Sequence, residues 1–244
     1  MPKSRVGTTC VTDSYTQRRV MVIHMRDPEV RRLLKEALVD RHSREPDTIV
    51  VEELGLCRGS VRADIAVVNG IMKGYEIKSD RDTLDRLLTQ VQVYGRVFDA
   101  ATLVTAERHL SDARTVLPSW WGIEVVCQNG PLVEFRPSRP NPLLEPEALA
   151  LLLWRDEAIS LLNGVGIATY RSDTRQIVCS RLARILSLDE LRTLVRTTLK
   201  SRSDERFRSQ RLRGGGMFQP SATSLDSPSR PARPRSRQYT YRPS

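Results

Sequence analysis

The segment 61–78 reads VRADIAVVNGIMKGYEIK and carries the clearest structural signal in the chain. Two runs rich in β-branched residues flank an Asn-Gly pair, which is typical of a β-hairpin. A turn centred on Gly70 places Asp64 directly opposite Glu76, and opposed residues of antiparallel strands lie roughly 4.5–5.5 Å apart. Lys78 shares the strand face of Glu76, because side chains alternate along a strand. The segment therefore predicts that two carboxylates and one ammonium group converge.

This group of side chains has the chemistry of a metal site. Two carboxylates at that separation repel each other unless a cation lies between them. Mg²⁺ is typically held by one or two carboxylates together with water and substrate phosphate. Asp64 and Glu76 therefore predict a Mg²⁺ or Mn²⁺ site, to which the carbonyl of Ile77 could add a third ligand. Lys78 would hold the attacking water or the phosphate, and the whole suits phosphodiester hydrolysis. The alternative is a solvated strand face without a metal.

The neighbouring sequence adds further candidates. Downstream, apolar residues recur at three- and four-residue spacing and predict a helix over about 82–98, with Asp82 as its N-cap. Gln90 and Tyr94 are four residues apart, so they lie on one face of that helix. Upstream, a β-branched strand ends at two glutamates. Of these, Glu53 could reach the same metal, and the alternative is a strand-end carboxylate that faces water.

Over residues 53–94 the sequence resembles the PD-(D/E)XK nuclease superfamily. Asp64 stands at the superfamily's metal-binding Asp, and Glu76-Ile77-Lys78 stands at its Glu-x-Lys. Gln90-x-x-x-Tyr94 resembles an element of the RecB-like branch. The sequence is most similar to a group of bacterial proteins, often associated with mobile elements, whose function is not settled. The likeness extends in outline over about 27–125.

The resemblance implies a fold, an activity and a set of roles. The fold would be a restriction-endonuclease-like α/β/α core with a mixed central sheet. The activity would be Mg²⁺- or Mn²⁺-dependent hydrolysis of DNA, in defence, mobile-element conflict or repair. The implied catalytic residues are Asp64, Glu76, Lys78 and Gln90. The implied metal ligands are Asp64, Glu76, the Ile77 carbonyl and Glu53. The implied nucleic-acid contacts are Tyr94, Arg62 and Arg81. One departure is Ala63, which stands where the superfamily has Pro.

Composition narrows the class of protein. The 244 residues suit one moderate domain with an appendage. No apolar run approaches the ~20 residues that span a membrane, and the first residues lack the apolar core of a signal peptide, so we expect a cytoplasmic protein without a membrane partner. The four cysteines and three histidines show no metal-ligand spacing. We therefore expect reduced thiols rather than a zinc site or a disulfide framework.

The positive charge is concentrated at the C-terminus. The net charge is +10, and the segment 201–244 contains ten Arg against three acidic residues. A basic tail attracts polyanions without regard to sequence. The residues predicted to contact nucleic acid there are Arg230, Arg233, Arg235 and Arg237. The alternative is an unstructured terminus with no specific partner.

We divide the chain into five parts. They are a flexible N-terminus at 1–20, a nuclease-like core at 21–138, a linker at 139–146, a small helical module at 147–203, and a disordered Arg/Pro/Ser-rich tail at 204–244. The helical module could touch DNA, form a homodimer or bind a partner protein. Two alternatives to the nuclease therefore stay open: a catalytically silent nucleic-acid-binding protein that retains the fold, and a protein that recruits a partner.

Trp120 and Trp121 carry a separate choice. Neighbouring aromatic side chains can stack on unpaired bases. Packing over the sheet is the favoured reading, because Trp is highly buried on average.

Overall fold

The computed structural model describes residues 25–127 and 131–213, with side chains up to residue 203. The described side chains all belong to the first of two units, Met1–Arg206, and the last helix extends into the second unit, Phe207–Ser244. The predicted N-terminal segment 1–20 and the four predicted tail arginines lie outside the described residues.

In the described part of the chain, six strands form one mixed sheet. Their order across the sheet is the order of the sequence, β1 to β6. Strands β1 to β3 are antiparallel, β3 to β5 are parallel, and β6 returns antiparallel to β5. The strands are β1 Ile49–Leu56, β2 Val61–Val68, β3 Met72–Lys78, β4 Ala100–Ala106, β5 Gly122–Val126 and β6 Leu132–Arg136.

Helices cover both faces of this sheet. The described α-helices are α1 Asp27–Arg41, α2 Leu87–Val97, α3 Leu110–Val116, α4 Pro146–Ala150, α5 Arg155–Gly164, α6 Arg175–Ile185 and α7 Leu188–Arg213. Helix α1 packs Leu34 against Tyr75 and Ile77 in one apolar cluster. Helix α2 and the C-terminal helices share a second cluster on the other face, with Phe98 and Leu103. The prediction of a mixed α/β protein is confirmed, and none of the described helices is long and apolar enough to cross a membrane.

The hairpin of β2 and β3 has the predicted register. Ile65 pairs with Tyr75, and Val68 pairs with Met72, so the turn is centred on Gly70. The same register, continued by one residue, brings position 64 opposite position 76. The turn is closed by the Ile71 amide, which donates to the side-chain oxygen of Asn69 at 3.1 Å.

The alternation of β1 and β2 breaks at two acidic residues. Glu53 lies opposite Asp64, because the pairs on either side are Glu52 with Ile65 and Leu54 with Ala63. Glu53 has a φ of 56°, which a non-glycine residue rarely adopts. On both strands, the residues that pack on the α2 side have odd numbers before this point in the sequence and even numbers after it. They are Ile49, Val51, Leu54 and Leu56 on β1, and Ala63, Ala66 and Val68 on β2.

Helix α2 begins later than the sequence predicts. It starts at Leu87 with Arg86 as N-cap, so the prediction of Asp82 as the N-cap is wrong. The Asp82 carboxylate instead accepts hydrogen bonds from the amide and the hydroxyl of Ser79, at 2.7 and 2.6 Å. It therefore stabilises the turn that follows β3.

The segment 139–146, predicted as a linker, is held against the sheet domain. Asn141 is buried, and its side-chain amide donates to the carbonyls of Gly95 and Phe98, at 2.6 and 2.7 Å. The helices that follow share one apolar cluster with α2. Helix α7 continues to Arg213, past the predicted start of the tail at 204. Its charged and leucine-containing sequence favours a helix there.

Trp120 and Trp121 pack inside this core. Their exposed fractions are 6% and 0%, and the two rings lie 5.6 Å apart. Packing rather than base stacking therefore describes both residues.

Candidate active site

The Glu76 carboxylate is the centre of the site. Its Oε1 accepts from Lys78 Nζ at 2.9 Å and from Gln90 Nε2 at 2.5 Å. Its Oε2 accepts from the Tyr94 hydroxyl at 2.7 Å. Glu76 and Lys78 are 2% and 5% exposed. The structure thus brings together four side chains that the sequence selected, two from β3 and two from α2.

Tyr94 has a different role from the predicted one. It is fully buried, and its hydroxyl donates to the Glu76 carboxylate and to the carbonyl of Tyr75. The prediction that Tyr94 contacts nucleic acid is therefore wrong. Burial, followed by the charge of Glu76, holds the pKa of Tyr94 well above its ordinary value, so the hydroxyl remains a donor. Tyr94 fixes the orientation of the carboxylate.

Asp64 lies at the point where β2 and β3 stop pairing regularly. Its Oδ2 accepts from the Ile77 amide at 2.8 Å, in place of a backbone carbonyl. A strand residue directs its N–H and its C=O to the same side. The carbonyl of Ile77 therefore points to the Asp64 side of β3, as its predicted role as a third ligand requires.

Arg31 is the residue of the site that sequence reasoning missed. Its Nη2 lies 2.8 Å from Asp64 Oδ1, and its Nη1 donates to the Asp64 carbonyl at 3.0 Å. It also pairs with Asp27 at 3.3 Å and with Glu53 at 3.0 Å. Arg31 belongs to the polar side of an amphipathic helix, where the sequence gives no sign that distinguishes it from its charged neighbours.

Glu53 is placed with arginines. Its Oε1 faces Arg31 and its Oε2 lies 2.9 Å from Arg62 Nε. To bind a metal, Glu53 would have to leave both guanidinium groups. Arg62 is 69% exposed at its side chain, and Arg81 is also exposed. Both side chains are therefore accessible to a polyanion, which their predicted contacts with nucleic acid require.

Two further residues support the end of β3. The Thr105 hydroxyl donates to the carbonyl of Lys78 at 3.3 Å, and His109 Nε2 lies 3.2 Å from the carbonyl of Ser79. His109 is buried in this contact. Its partner is a backbone oxygen, so the sequence spacing of the histidines could not reveal it.

Burial and mutual repulsion shape the charge of the two carboxylates. Burial raises the pKa of Glu76 above its ordinary value, and the negative charge of Asp64 raises it further. Burial also raises the pKa of Asp64, although the Ile77 amide and Arg31 act in the opposite direction. A cation between the two groups would relieve this repulsion.

The donor set fits one hard divalent ion. Among the described residues, no group of three His, Cys, Asp or Glu side chains forms a metal site, but Mg²⁺ commonly uses only one or two carboxylates and completes its shell with water. Gln90 Oε1 is buried without a hydrogen-bond partner beside Glu76. A water in the site would satisfy it. Asp64, Glu76 and the Ile77 carbonyl are therefore the groups that would hold the ion.

The raised pKa values predict the pH dependence of metal binding. Protons compete with the ion for Asp64 and Glu76, so affinity for Mn²⁺ should fall as the pH drops through a window above the ordinary carboxyl range near about pH 4. In the same window the folded state holds protons more tightly than the unfolded chain, so these two groups make the protein more stable as the pH falls. Titration of Mn²⁺ by electron paramagnetic resonance between about pH 5 and pH 8 measures the effect. A decline confined to pH values below about 4 would contradict it.

The helical region shows how its arginines are used. Arg181 pairs with Asp173 at 2.8 Å, and Arg192 pairs with Asp99 at 3.0 Å. These two guanidinium groups are engaged in ion pairs within the protein, which leaves them less available to phosphates.

The fold and the site together define a mixed α/β protein with a buried carboxylate–lysine centre beside a strand irregularity. The chain belongs to the bacteriophage P4 protein cII family, whose model matches residues 14–214. Protein cII of Enterobacteria phage P4 is 30% identical over 181 residues, which cover 73% of this chain and 68% of that protein. A protein of unknown function from Silicibacter pomeroyi matches at 18% identity with a TM-score of 0.34, over 55% of this chain and 92% of that one.

Proposed function

We propose that this protein is a metal-dependent nuclease of the PD-(D/E)XK kind that hydrolyses phosphodiester bonds of DNA. The observation that carries the proposal is the buried Glu76 carboxylate, held by Lys78, Gln90 and Tyr94, with Asp64 in the opposing register position. Burying Glu76 and Lys78 and partly burying Asp64 without a ligand is costly. Such a cluster is more readily explained by chemistry than by folding.

The arrangement of elements supports the same proposal. The site lies on an antiparallel hairpin whose second strand continues through α2 into the parallel strand β4. Helix α1 covers one face and α2 the other. The α/β/α core with a mixed central sheet that the resemblance implies has the same order of layers.

The residues divide the work of hydrolysis. A bound Mg²⁺ or Mn²⁺ would supply charge neutralisation at the phosphate and would acidify a water. Lys78 would hold the attacking water or a phosphate oxygen, since an ammonium group has three donors. Gln90 would orient Lys78 and accept from water through its free Oε1. Tyr94 keeps the Glu76 carboxylate in one orientation.

The family name bears on the biological setting. The relatives take their name from a bacteriophage protein, and a bacteriophage is a mobile element. We place the proposed activity in mobile-element conflict, defence or repair, with DNA as substrate.

A cleavage assay tests the proposal. Labelled single-stranded, duplex and branched DNA, with RNA as control, are incubated with the full chain and Mg²⁺, Mn²⁺ or EDTA. We expect cutting of at least one DNA form with either ion and none with EDTA, because the carboxylates cannot neutralise the phosphate without a cation. Equal cutting in EDTA, or DNA binding without cutting under any condition, would refute it.

A second candidate function is favoured by specific contacts. In the structure, protein cations already satisfy the acidic groups: Arg31 pairs with Asp64, and Lys78 with Glu76. A catalytically silent protein that binds nucleic acid would need no metal ion in addition to these two ion pairs. Near α5, the aromatic side chains of Trp154 and Tyr170 are 52% and 65% exposed, which suits recruitment of a partner protein or a second copy. DNA binding indifferent to Asp64→Ala and to EDTA would favour this candidate.

A further inference from the structure

Arg31 is a permanent cation inside an acidic group of side chains. Its guanidinium lies within 3.3 Å of three carboxylates, those of Asp27, Glu53 and Asp64. Its side chain is only 18% exposed. Burial acts to lower the pKa of Arg31, but the charges and hydrogen bonds of Asp64 and Asp27 raise it above the already high ordinary value. The group is therefore charged under all working conditions.

The two oxygens of Asp64 face different neighbours. Oδ2 turns toward β3 and accepts from the Ile77 amide, whereas Oδ1 turns toward α1 and faces Arg31. Arg31 also donates to the backbone carbonyl of Asp64. One guanidinium thus holds both the side chain and the backbone of a proposed metal ligand. A divalent ion and Arg31 present like charges to the same carboxylate.

We propose that Arg31 sets the affinity of the site for its divalent cation by competing with that cation for Asp64. This inference rests on the proposed metal-dependent activity and adds to it a residue from the opposite face of the sheet. Without the ion, Arg31 neutralises the carboxylates that would otherwise repel. When the ion is present, Arg31 weakens the negative potential that attracts the ion, so a higher metal concentration is needed to fill the site.

Replacement of Arg31 provides the test. Binding of Mn²⁺ alone is measured by electron paramagnetic resonance, without nucleic acid, for the wild type and for Arg31→Gln. We expect about tenfold tighter binding in Arg31→Gln, because one unit charge a few ångströms from the ligand is removed at a partly shielded position. Arg31→Lys keeps the charge but loses the forked geometry, so its Mn²⁺ affinity should lie closer to that of the wild type than to that of Arg31→Gln.

The neighbouring residue supplies a matched control. Arg32 is exposed on the same helix and pairs with Glu36 at 3.7 Å, and neither belongs to the site. Arg32→Gln removes the same charge and should leave the Mn²⁺ affinity unchanged. If Arg31→Gln does not fold, Arg31→Gln with Asp27→Asn removes the cation together with one of the three carboxylates it neutralises. A smaller increase in affinity than in Arg31→Gln is then expected, because the double variant also loses the negative charge of Asp27.

The outcomes separate this inference from the proposed function. Wild-type binding of Mn²⁺ with equal or weaker binding in Arg31→Gln overturns the inference and leaves the metal-dependent nuclease intact. Binding by Arg31→Gln but not by the wild type supports the inference and argues against the nuclease. Absence of binding in every variant overturns both.

Discussion

Lys78→Ala is expected to eliminate metal-dependent DNA cleavage, with a rate loss of at least about 10²-fold. Among the residues that the structure describes, Lys78 is the one cation in contact with Glu76, and it is almost completely buried. Neither solvent nor a neighbouring residue replaces a positioned ammonium group at that depth. DNA binding should persist, because the exposed arginines that attract the backbone are unchanged. Single-turnover cleavage and filter binding, run on the same preparations, measure the two effects.

Lys73→Ala is the matched control. It lies on the same strand and also loses one ammonium group, but its Nζ lies 5.1 Å from the centre of the Tyr75 ring, away from Glu76. We expect its cleavage rate to remain within about threefold of the wild type, as for a charge removed outside the site. If Lys78→Ala kept wild-type activity, or lost activity and folding to the same extent, the assignment of Lys78 as a catalytic residue would be refuted. Circular dichroism and thermal unfolding of both variants distinguish a catalytic from a structural loss.

The sequence predicts this half of the site because its residues are linked by local periodicities. Glu76 and Lys78 are two apart on a strand, and Gln90 and Tyr94 are four apart on a helix. The Asn-Gly turn fixes the register of Asp64 against Glu76 without any long-range information. Both strands of the hairpin, β2 Val61–Val68 and β3 Met72–Lys78, lie within the segment 61–78 that the Asn-Gly turn marks.

The other half depends on tertiary contacts that no local pattern encodes. Arg31 reaches Asp64 across 33 positions of sequence, and its spacing on α1 is that of any solvated arginine. The change of alternation at Glu53 arises from a left-handed backbone conformation that non-glycine residues rarely adopt. Asp82 is a good N-cap by type, but the nearby Ser79 competes for its carboxylate. In each case a contact or backbone conformation set by the fold outweighs the structure that the local sequence favours.

The burial of the two site carboxylates affects the stability of the folded protein. Burial raises the pKa values of both Asp64 and Glu76, so the folded state is held at some cost in stability near neutral pH. The apolar clusters on the two faces of the sheet offset that cost. Residues that pack tightly behind the site should then be critical for both stability and geometry.

Gly74→Ala should reveal that dependence, with a loss of about 1–3 kcal/mol in the free energy of unfolding. A Cβ at Gly74 would lie 2.5 Å from Phe98 Cδ2 and 2.9 Å from Tyr94 Cε1, closer than real contacts allow. Both rings are fully buried and touch each other, with centroids 5.0 Å apart, so neither can yield cheaply. Movement of Tyr94 would also withdraw its hydroxyl from Glu76. Urea unfolding followed by circular dichroism measures the change in stability.

Gly55→Ala separates this effect from the general cost of replacing a strand glycine. A Cβ at Gly55 has no atom within 4 Å, and Gly55 lies on the edge strand β1. The control should therefore change the free energy of unfolding by less than about 0.5 kcal/mol. If Gly74→Ala were equally mild, the rings of Tyr94 and Phe98 would have to move freely. The Glu76 carboxylate would then lack the rigid support that its role in binding a metal requires.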